Sequence, residues 1–315
     1  MEQQTFNSLT DFWETLPCKL NPEQPLVASE QAFVLYGRKL DKTALLTFAE
    51  KAQQNFLLYD MWQCEQFNAV ILKGQYRHHA LLAIANELEL DLALLSGKPL
   101  LAQRGLLVMD MDSTAIQIEC IDEIAKLAGS GELVSEITEL AMRGELDFEQ
   151  SLRRRVATLK GAPETILQQV RSGLPLMPGL ERMLAVLQQN GWRIAIASGG
   201  FTYFADHLKQ RFKLEAAVSN RLGIVDGVLT GEVLGEVVDA QFKADTLNRL
   251  RQQFEIEKEN TIAIGDGAND LPMLAQAGCG IAYHAKPKVQ QQAEIVINHA
   301  DLTALLLLLD ANRRI

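Results

Sequence analysis

The chain has 315 residues, of which 48% are apolar and 22% are charged, and this balance excludes a disordered polypeptide. Its formal charge of −10 argues against a nucleic-acid binder, for which a basic surface would be expected. No apolar run approaches the roughly 20 residues of a membrane helix and no leader-like segment opens the chain, so we expect a cytoplasmic protein that does not bind membranes.

The first part of the chain predicts an irregular segment followed by a small mixed domain. Residues 1–28 are polar and contain three prolines, so we expect them to be irregular. Residues 29–98 alternate as strand, helix, strand, strand, helix, strand, which is the ferredoxin-like α+β pattern βαββαβ. Units of this type often sense ligands or dimerise, so we expect a regulatory-type domain and a homodimer formed through it. The predicted strands lie at 32–36, 56–62, 68–72 and 92–95, and the predicted helices at 42–53 and 79–88.

Residues 104–315 predict a larger α/β domain, separated from the first by a linker that contains Gly97 and Pro99. Alternating strands and helices indicate a Rossmann-like parallel sheet covered by helices on both faces. A mostly helical stretch at about 120–176 follows the first strand, and we expect it to form a cap over the edge of the sheet. The predicted strands lie at 106–110, 193–197, 216–219 and 261–264, with a hairpin at 224–232, and the predicted helices at 179–189, 201–212, 240–254, 271–277 and around 305–309.

Two carboxylates, Asp110 and Asp112, stand at the end of the first strand of this larger domain. Open α/β sheets bind ligands at the carboxyl ends of their strands. Neighbouring carboxylates repel each other unless a cation neutralises them, and Mg²⁺ suits such oxygens and usually brings a phosphate with it. The pattern therefore predicts a metal-assisted phosphoryl-transfer site in which one aspartate is the nucleophile.

A hydroxyl and two glycines, Ser198-Gly199-Gly200, follow the strand at 193–197. Backbone N–H groups in such a compact loop can approach a phosphate, although by itself the pattern is more typical of an ordinary strand-to-helix turn capped by Ser198. Lys243, early in a predicted helix, is a candidate for the positive charge that a phosphate needs. By itself, a helical lysine is more typical of a solvated surface.

Two more carboxylates, Asp266 and Asp270, follow the strand at 261–264 in the sequence Gly-Asp-Gly-Ala-Asn-Asp. A loop in which Asp270 caps a helix is the simpler interpretation. The alternative is that Asp266 joins Asp110 and Asp112 around a divalent cation. Asp270 or Asn269 would then hold the metal ligands in position without binding the metal itself.

The predicted cap contains a helical face that points to an anion site. Phe148, Leu152 and Arg155 are spaced so that they share one face of a helix, whereas Arg153 and Arg154 lie away from it. Arg155 could therefore reach beneath the cap with Phe148 and bind a carboxylate in a forked pair. An arginine at the edge of a packed face would give the same spacing.

Taken in order, these motifs resemble those of the haloacid dehalogenase-like phosphatases. The segment Asp110-Met-Asp-Ser-Thr114 matches the family pattern Asp-x-Asp-x-Thr, and the Ser-Gly-Gly loop, the lysine and the Gly-Asp-Gly-x-Asn-Asp motif follow in family order between about 106 and 301. With the cap segment Phe-Glu-Gln-Ser-Leu-Arg-x-Arg, the set resembles the branch that acts on O-phospho-L-serine. The resemblance implies Mg²⁺-dependent hydrolysis to serine and phosphate through a phosphoaspartate, the last step of serine biosynthesis.

The resemblance also implies a role for each motif residue. Asp110 would be the nucleophile, and Asp112 would be the general acid and then the general base. Mg²⁺ would bind Asp110, the backbone carbonyl of Asp112 and Asp266, with Asp270 supporting the metal. The substrate would be bound by Glu119 at its ammonium group, Arg155 at its carboxylate, Phe148 beneath the cap, and Ser198, Gly199, Lys243 and Asn269 around its phosphate.

Three other functions remain open from the sequence. A broader phosphomonoesterase would use the same chemistry on other esters, and a phosphomutase would pass the phosphate to a second hydroxyl. A phospho-acceptor switch would not be an enzyme, and its signal could pass to the N-terminal unit. Such a switch gains nothing from an acid–base residue at Asp112, so hydrolysis of phosphoserine is the leading hypothesis.

Overall fold

The structure is a computed structural model that describes residues 19–20 and 31–315. The irregular segment predicted at 1–28 lies outside the described residues, apart from the short strand β1 (Lys19–Leu20). Four strands and two helices then follow in the predicted order. They are β2 (Gln31–Gly37), α1 (Lys42–Ala52), β3 (Phe56–Cys64), β4 (Phe67–Gly74), α2 (His78–Glu87) and β5 (Asp91–Leu94).

Strands β2 to β5 form an antiparallel sheet in the spatial order β3-β4-β2-β5. Strands β2 and β3 run in the same direction with β4 between them, which is the split βαβ arrangement that the sequence predicted. Phe33 and Leu35 of β2 share an apolar cluster with Leu45 and Phe48 of α1 and Leu81 of α2. Both helices therefore cover the same face of this sheet.

The rest of the chain forms a parallel α/β core with a helical insertion between its first two strands. In sheet order the strands are β12-β11-β10-β6-β7-β8-β9, all parallel except β9. The strands are β6 (Leu106–Met109), β7 (Arg193–Phe201), β8 (Ala216–Val225), β9 (Val228–Leu234), β10 (Thr261–Gly265), β11 (Cys279–Tyr283) and β12 (Ile295–Ile297). The insertion contains α3 (Cys120–Ala128), α4 (Gly131–Met142), α5 (Phe148–Ala157) and α6 (Thr165–Ser172). The remaining helices are α7 (Leu180–Gln189), α8 (Thr202–Phe212), α9 (Ala240–Gln253), α10 (Leu271–Gln276), α11 (Pro287–Gln290) and α12 (Ala304–Arg313).

The two sheets are joined, because β5 pairs antiparallel with β12 through Leu92 and Val296. The described residues thus form one sheet of twelve strands. Asp91 at the start of β5 is fully buried and accepts hydrogen bonds from the backbone N–H groups of Asn298 (2.7 Å) and Ala300 (2.8 Å). A carboxylate of the first unit therefore holds the loop that follows β12.

The last helix, α12, lies against this joint. Its residues Leu305–Leu309 are at most 5% exposed, which accounts for the apolar run seen in the sequence. They belong to the same apolar core as Val34 and Tyr36, on the face of the N-terminal sheet that α1 and α2 leave uncovered. Among the described helices, none has both the length and the apolar character needed to span a membrane.

The helical insertion contacts the core at its two paired connections and at the β8–β9 hairpin, where the backbone N–H of Gly161 donates to the carbonyl oxygen of Leu229 at 2.9 Å. Its two connections lie side by side, with the backbone N–H of Gln117 donating to the carbonyl oxygen of Pro175 at 2.9 Å. The N–H of Met177 donates in turn to the carbonyl oxygen of Ala115 at 2.9 Å. Both ends of the insertion are therefore paired to each other directly beside the sheet edge.

Some elements differ from those predicted. The short strand at 216–219 and the first arm of the predicted hairpin form one continuous strand, β8, which turns into β9 at Asp226-Gly227 with positive φ angles of 50° and 73°. Strand β7 continues through the Ser-Gly-Gly segment, so α8 begins only at Thr202. Strands β11 and β12, which complete the parallel sheet, were not predicted.

Candidate active site

The strand ends that carry the sequence motifs meet at one edge of the sheet. Strand β6 lies between β10 and β7, and all four of its residues are buried, so Asp110 emerges at the carboxyl end of a central strand. The backbone N–H of Asp110 donates to the carbonyl oxygen of Ile264 in β10 at 2.9 Å. The predicted convergence of the strand ends is therefore confirmed.

Lys243 is the charged centre of this edge. The residue is fully buried, and its Nζ lies 2.7 Å from Asp110 Oδ2 and 2.8 Å from Asp270 Oδ1. Asp239 caps α9 by accepting from the N–H of Phe242 at 2.8 Å, which places Lys243 in the first turn of the helix. Burial alone would lower the pKa of Lys243, but Asp110 and Asp270 raise it above its ordinary value, so the ammonium stays charged.

Asp110, Asp266 and Asp270 each place one carboxylate oxygen within 4.8 Å of the others. Burial, with the nearby charge of Asp110, raises the pKa of Asp266 to about 7. The only hydrogen bond that the side-chain carboxylate of Asp266 accepts among the described residues is from Thr114 Oγ1, at 3.2 Å. A half-buried, crowded carboxylate with free lone pairs fits a hard divalent cation, which would remove the repulsion.

Asp270 differs from Asp266 in that both of its oxygens already have partners. Lys243 donates to Oδ1, and the backbone N–H of Gly267 donates to Oδ2 at 3.0 Å. Asp270 thus holds both the lysine and the Gly-Asp-Gly loop in place. This arrangement favours a supporting role beside a metal rather than direct ligation.

The side chain of Asp112 stands apart from the carboxylate cluster. Its Oδ1 is buried and accepts no hydrogen bond from any described residue. Burial, together with the charges of Glu119 and Asp110, raises its pKa well above the ordinary value. A carboxyl group whose protonated form is favoured in this way is suited to donate its proton to a leaving group.

The Ser-Gly-Gly segment forms a tight wall of the site. Buried Ser198 accepts a hydrogen bond from the backbone N–H of Gly200 at 3.0 Å. A Cβ atom placed on Gly199 would lie 2.7 Å from Phe148 Cζ and 3.7 Å from Asn269 Nδ2. Glycine at this position leaves room for the ring of Phe148 from the insertion, whereas the contact with the Asn269 amide is of ordinary length.

Asn220 is a supporting residue that the sequence did not indicate. This buried residue of β8 donates from Nδ2 to the carbonyl oxygen of Gly199 at 2.8 Å. Its Oδ1 accepts from the backbone N–H of Val238 at 2.8 Å. It therefore fixes the peptide of the glycine loop. The sequence carries only a weak signal for it, an asparagine near the middle of a strand.

Two residues of opposite charge border the site from the side of the insertion. Glu119 occupies the position before the first residue of α3 and is exposed, and its Oε1 accepts from Ser113 Oγ at 2.7 Å. Arg155 of α5 is half-buried, and its Nε has no hydrogen-bond partner among the described residues. Burial lowers the pKa of Arg155, while the charges of Asp122, Glu119 and Asp112 oppose the shift. An unpaired arginine near acidic groups is suited to an incoming carboxylate.

The other arginines of this helix behave as the periodicity predicted. Arg153 and Arg154 are exposed, and Arg153 pairs with Glu149 at 2.8 Å. A capping box between Asp147 and Gln150 starts the helix at Phe148, the residue that touches the glycine loop. The covered face therefore presents Phe148 and Arg155 together.

Two family patterns match this chain. Residues 105–278 match the haloacid dehalogenase-like hydrolase family, and residues 30–94 match a domain of unknown function, DUF5609. The first match contains β6, the helical insertion and all of the strand ends described above. The second match corresponds to the antiparallel unit formed by β2 to β5.

The chain is also similar to named proteins and solved structures. It is 58% identical over 315 residues to a phosphoserine phosphatase of Haemophilus influenzae, covering 100% of both chains. The crystal structure of a probable phosphoserine phosphatase from Vibrio cholerae superposes with a TM-score of 0.81 at 51% identity, covering 90% of this chain and 87% of the other. A substrate-bound phosphoserine phosphatase complex superposes with a TM-score of 0.62 at 40% identity, covering 65% of this chain and 98% of the other.

Proposed function

This chain belongs to the haloacid dehalogenase-like hydrolases, and on that premise we propose that it hydrolyses O-phospho-L-serine to L-serine and phosphate. The observation that carries the proposal is the fully buried Lys243, whose ammonium joins Asp110 to Asp270 at the sheet edge. A fixed cation beside a carboxylate nucleophile is what an incoming phosphate monoester requires. The reaction would be the last step of serine biosynthesis.

The chemistry divides into two transfers of the phosphoryl group. A carboxylate oxygen of Asp110 attacks phosphorus, the bond from phosphorus to the serine oxygen breaks, and Asp112 gives that oxygen its proton. Water then attacks the phosphoaspartate and gives a proton to Asp112, so that phosphate leaves and both aspartates are restored. The raised pKa of Asp112 supports the first of these proton transfers.

Mg²⁺ is the cation that we propose for this site. When bound, it supplies charge neutralisation for the phosphate and the carboxylates around it. Asp110, Asp266 and the backbone carbonyl of Asp112 would hold it, and Asp270 would support the arrangement through Lys243 and the Gly-Asp-Gly loop. The carboxylate of Asp266 still has lone pairs that can bind a cation, whereas both oxygens of Asp270 already accept hydrogen bonds. This difference supports a ligand role for the first and a supporting role for the second.

Ser198, Gly199, Lys243 and Asn269 would bind the phosphate. Their positions support this role, because the ammonium of Lys243 contacts Asp110 and the amide of Asn269 lies beside Gly199 of the glycine loop. The insertion would close over the substrate with Phe148 against Gly199. Closure would keep water out during the first transfer and admit one molecule for the second.

Glu119 and Arg155 would select phosphoserine by pairing with its ammonium and carboxylate groups. The test is steady-state release of phosphate from phosphoserine and from propyl phosphate, for the wild type and for Glu119→Gln and Arg155→Gln. Each variant should lose about 10- to 100-fold in kcat/KM on phosphoserine, because a charge of the substrate is left unpaired, and almost nothing on propyl phosphate. The matched control is Arg154→Gln, which alters an exposed arginine of the same helix.

The results separate the competing functions. Equal turnover of the two esters by the wild type would indicate a broad phosphomonoesterase and contradict the selective roles. Transfer of the phosphate to an added hydroxyl compound would indicate a phosphomutase. A single turnover that stops at a stable phosphoaspartate would indicate a switch. Activity that persists in excess chelator would remove Mg²⁺ from the mechanism.

The proposal includes the organisation of the chain. We propose a regulatory-type domain at 29–98 and a phosphatase domain at 104–315 whose cap spans about 120–176. Association into a homodimer through the N-terminal domain stays a prediction, as does a cytoplasmic location. Light scattering on the full chain would measure the mass of the assembly, and a single-chain mass would contradict the dimer.

A further inference from the structure

Ser113, which directly follows Asp112, has an unusual backbone conformation. Its φ angle is 55°, in the left-handed region. A residue with a Cβ atom has a steric cost there, and glycine or asparagine is the more usual choice. Ser113 is therefore strained at a position where a glycine would be relaxed. Strain of this kind persists only where surrounding contacts hold it, and it directs attention to the side chain.

The turn that contains Ser113 is held by backbone hydrogen bonds. The carbonyl oxygen of Met111 accepts from the N–H of Ala115 at 2.8 Å, and the N–H of Ser113 donates to the carbonyl oxygen of Ile118 at 3.3 Å. These bonds fold the segment into a compact loop that brings Ser113 beside Glu119, the residue before α3. The position of the serine hydroxyl therefore follows from the path of the backbone.

The hydroxyl of Ser113 makes one contact that gives this conformation a use. Its Oγ donates to Glu119 Oε1 at 2.7 Å, a short distance that is typical of a hydroxyl bound to a carboxylate. Among the residues that the structure describes, the side chain of Glu119 forms no other hydrogen bond. Its second oxygen is therefore available to a ligand.

This hydrogen bond restricts Glu119 without neutralising it. An exposed glutamate can adopt several rotamers, and ordering it when a ligand binds costs conformational entropy. A hydroxyl donor limits that freedom but carries no charge, unlike a lysine or an arginine. The carboxylate is thus held in one place and keeps its full attraction for a cationic group. Such preorganisation suits a residue that must receive an ammonium group.

We propose that Ser113 is a positioning residue that sets the preference for a phosphate ester with an ammonium group, by holding Glu119 where that group binds. The inference rests on the proposed function, because Glu119 selects the substrate only if the ester is phosphoserine. Ser113 itself takes no part in the phosphoryl transfer. Loss of its hydroxyl changes the choice of substrate more than the chemistry.

The test compares phosphate release from phosphoserine and from propyl phosphate by Ser113→Ala and Ser113→Gly. Each variant should lower the ratio of the two kcat/KM values about 5- to 10-fold, mainly through a higher KM for phosphoserine. Ser113→Gly should unfold at a higher temperature than Ser113→Ala, because glycine relieves the strain that alanine keeps. An equal loss of preference in both variants would therefore not be explained by stability.

The matched control is Ser172→Ala. It removes an exposed hydroxyl of the same insertion, which donates to the carbonyl oxygen of Gln169 at 2.8 Å. This variant should keep the wild-type ratio. If Ser113→Ala does not fold, Ser113→Gly decides the test, since glycine is the residue best suited to the left-handed conformation.

A double-mutant cycle separates positioning from a general disturbance of the site. In a Glu119→Gln background, Ser113→Ala should have almost no further effect on the ratio, because the carboxylate that it positions is gone. An equal effect in both backgrounds would overturn the inference. A wild-type preference that Ser113→Ala and Ser113→Gly both retain would overturn this inference alone. Equal turnover of the two esters by the wild type would overturn the proposed function and this inference with it.

Discussion

The two ends of the parallel strands offer opposite environments. At the carboxyl ends, buried charge is concentrated and mutually compensated, with Lys243 held between Asp110 and Asp270. At the amino ends, the surroundings are mostly apolar, and two buried polar atoms, on His78 and Asn312, have no hydrogen-bond partner among the residues that the structure describes. One sheet therefore holds a preorganised electrostatic site at one edge and a seam between two units at the other. The first depends on charge, and the second depends on packing.

The largest effect is expected when the proposed nucleophile at the charged edge is replaced. Asp110→Asn should reduce phosphate release by at least about 10³-fold, because an amide cannot form the acyl phosphate. The protein should remain folded, since the change removes one charge from a crowded acidic cluster. Phosphate release and a circular dichroism melt measure the two properties. Activity above a tenth of the wild-type value would refute the nucleophile assignment.

The next effect concerns the stability of the same edge. Lys243→Met should lower the free energy of unfolding by about 3–5 kcal/mol, because two buried carboxylates lose their counter-charge. The double variant Lys243→Met with Asp270→Asn should recover part of this loss. Lys126→Met, which removes an exposed lysine paired with Glu123, should leave the urea unfolding curve in place. A curve for Lys243→Met that matches that control would show that the buried pair contributes nothing.

A smaller effect on stability is expected when Asp266, the crowded carboxylate of the proposed metal site, is replaced. In buffer free of divalent cations, Asp266→Asn should raise the free energy of unfolding by about 1 kcal/mol or more, because the cost of burying a charged carboxylate and its repulsion from Asp110 are both removed. Added Mg²⁺ should reverse the order by stabilising the wild type alone. Equal stabilisation of both proteins by Mg²⁺ would place the cation elsewhere.

The smallest effect is expected at the amino ends of the strands, in the pH dependence of the stability contributed by His78. Burial, with the neighbouring charge of His79, lowers the pKa of His78, while Glu294 opposes the shift. A histidine whose pKa is lower in the folded than in the unfolded protein stabilises the fold at pH values above its unfolded pKa, which is near 6.5. This stabilisation is lost as the pH falls through the pKa of the folded protein. The difference in unfolding free energy between wild type and His78→Phe should therefore shrink between about pH 7 and about pH 5. A constant difference would show that the imidazole is not held neutral.

The charged edge could be predicted because its signals are local. Asp110 and Ser198 directly follow short apolar runs, Asp266 follows another one after Gly265, and adjacent parallel strands bring such residues together. The choice of Arg155 over its neighbours followed from helical periodicity, and the burial of this residue agrees with it. The individual catalytic and binding roles stay predictions until the variants are measured.

The rest depends on contacts between distant parts of the chain. Strand β11 was missed because Gly280 suggests a loop, whereas in the structure a Cβ there would collide with the carbonyl oxygen of Leu274. The glycine is needed because the backbone of a helix lies directly against the strand. Asn220 was missed for a related reason: the groups that it contacts come from separate segments, and no short pattern joins them.

The short antiparallel contact between β5 and β12 has a consequence for how the protein can be cut or expressed. Without the N-terminal unit, β12 would become the outer strand of the core, and its apolar sequence Ile-Val-Ile would present unpaired backbone groups to water. Exposed edges of this type recruit other chains. A fragment that starts at the linker should therefore aggregate or swap strands, even though it retains every residue of the acidic cluster.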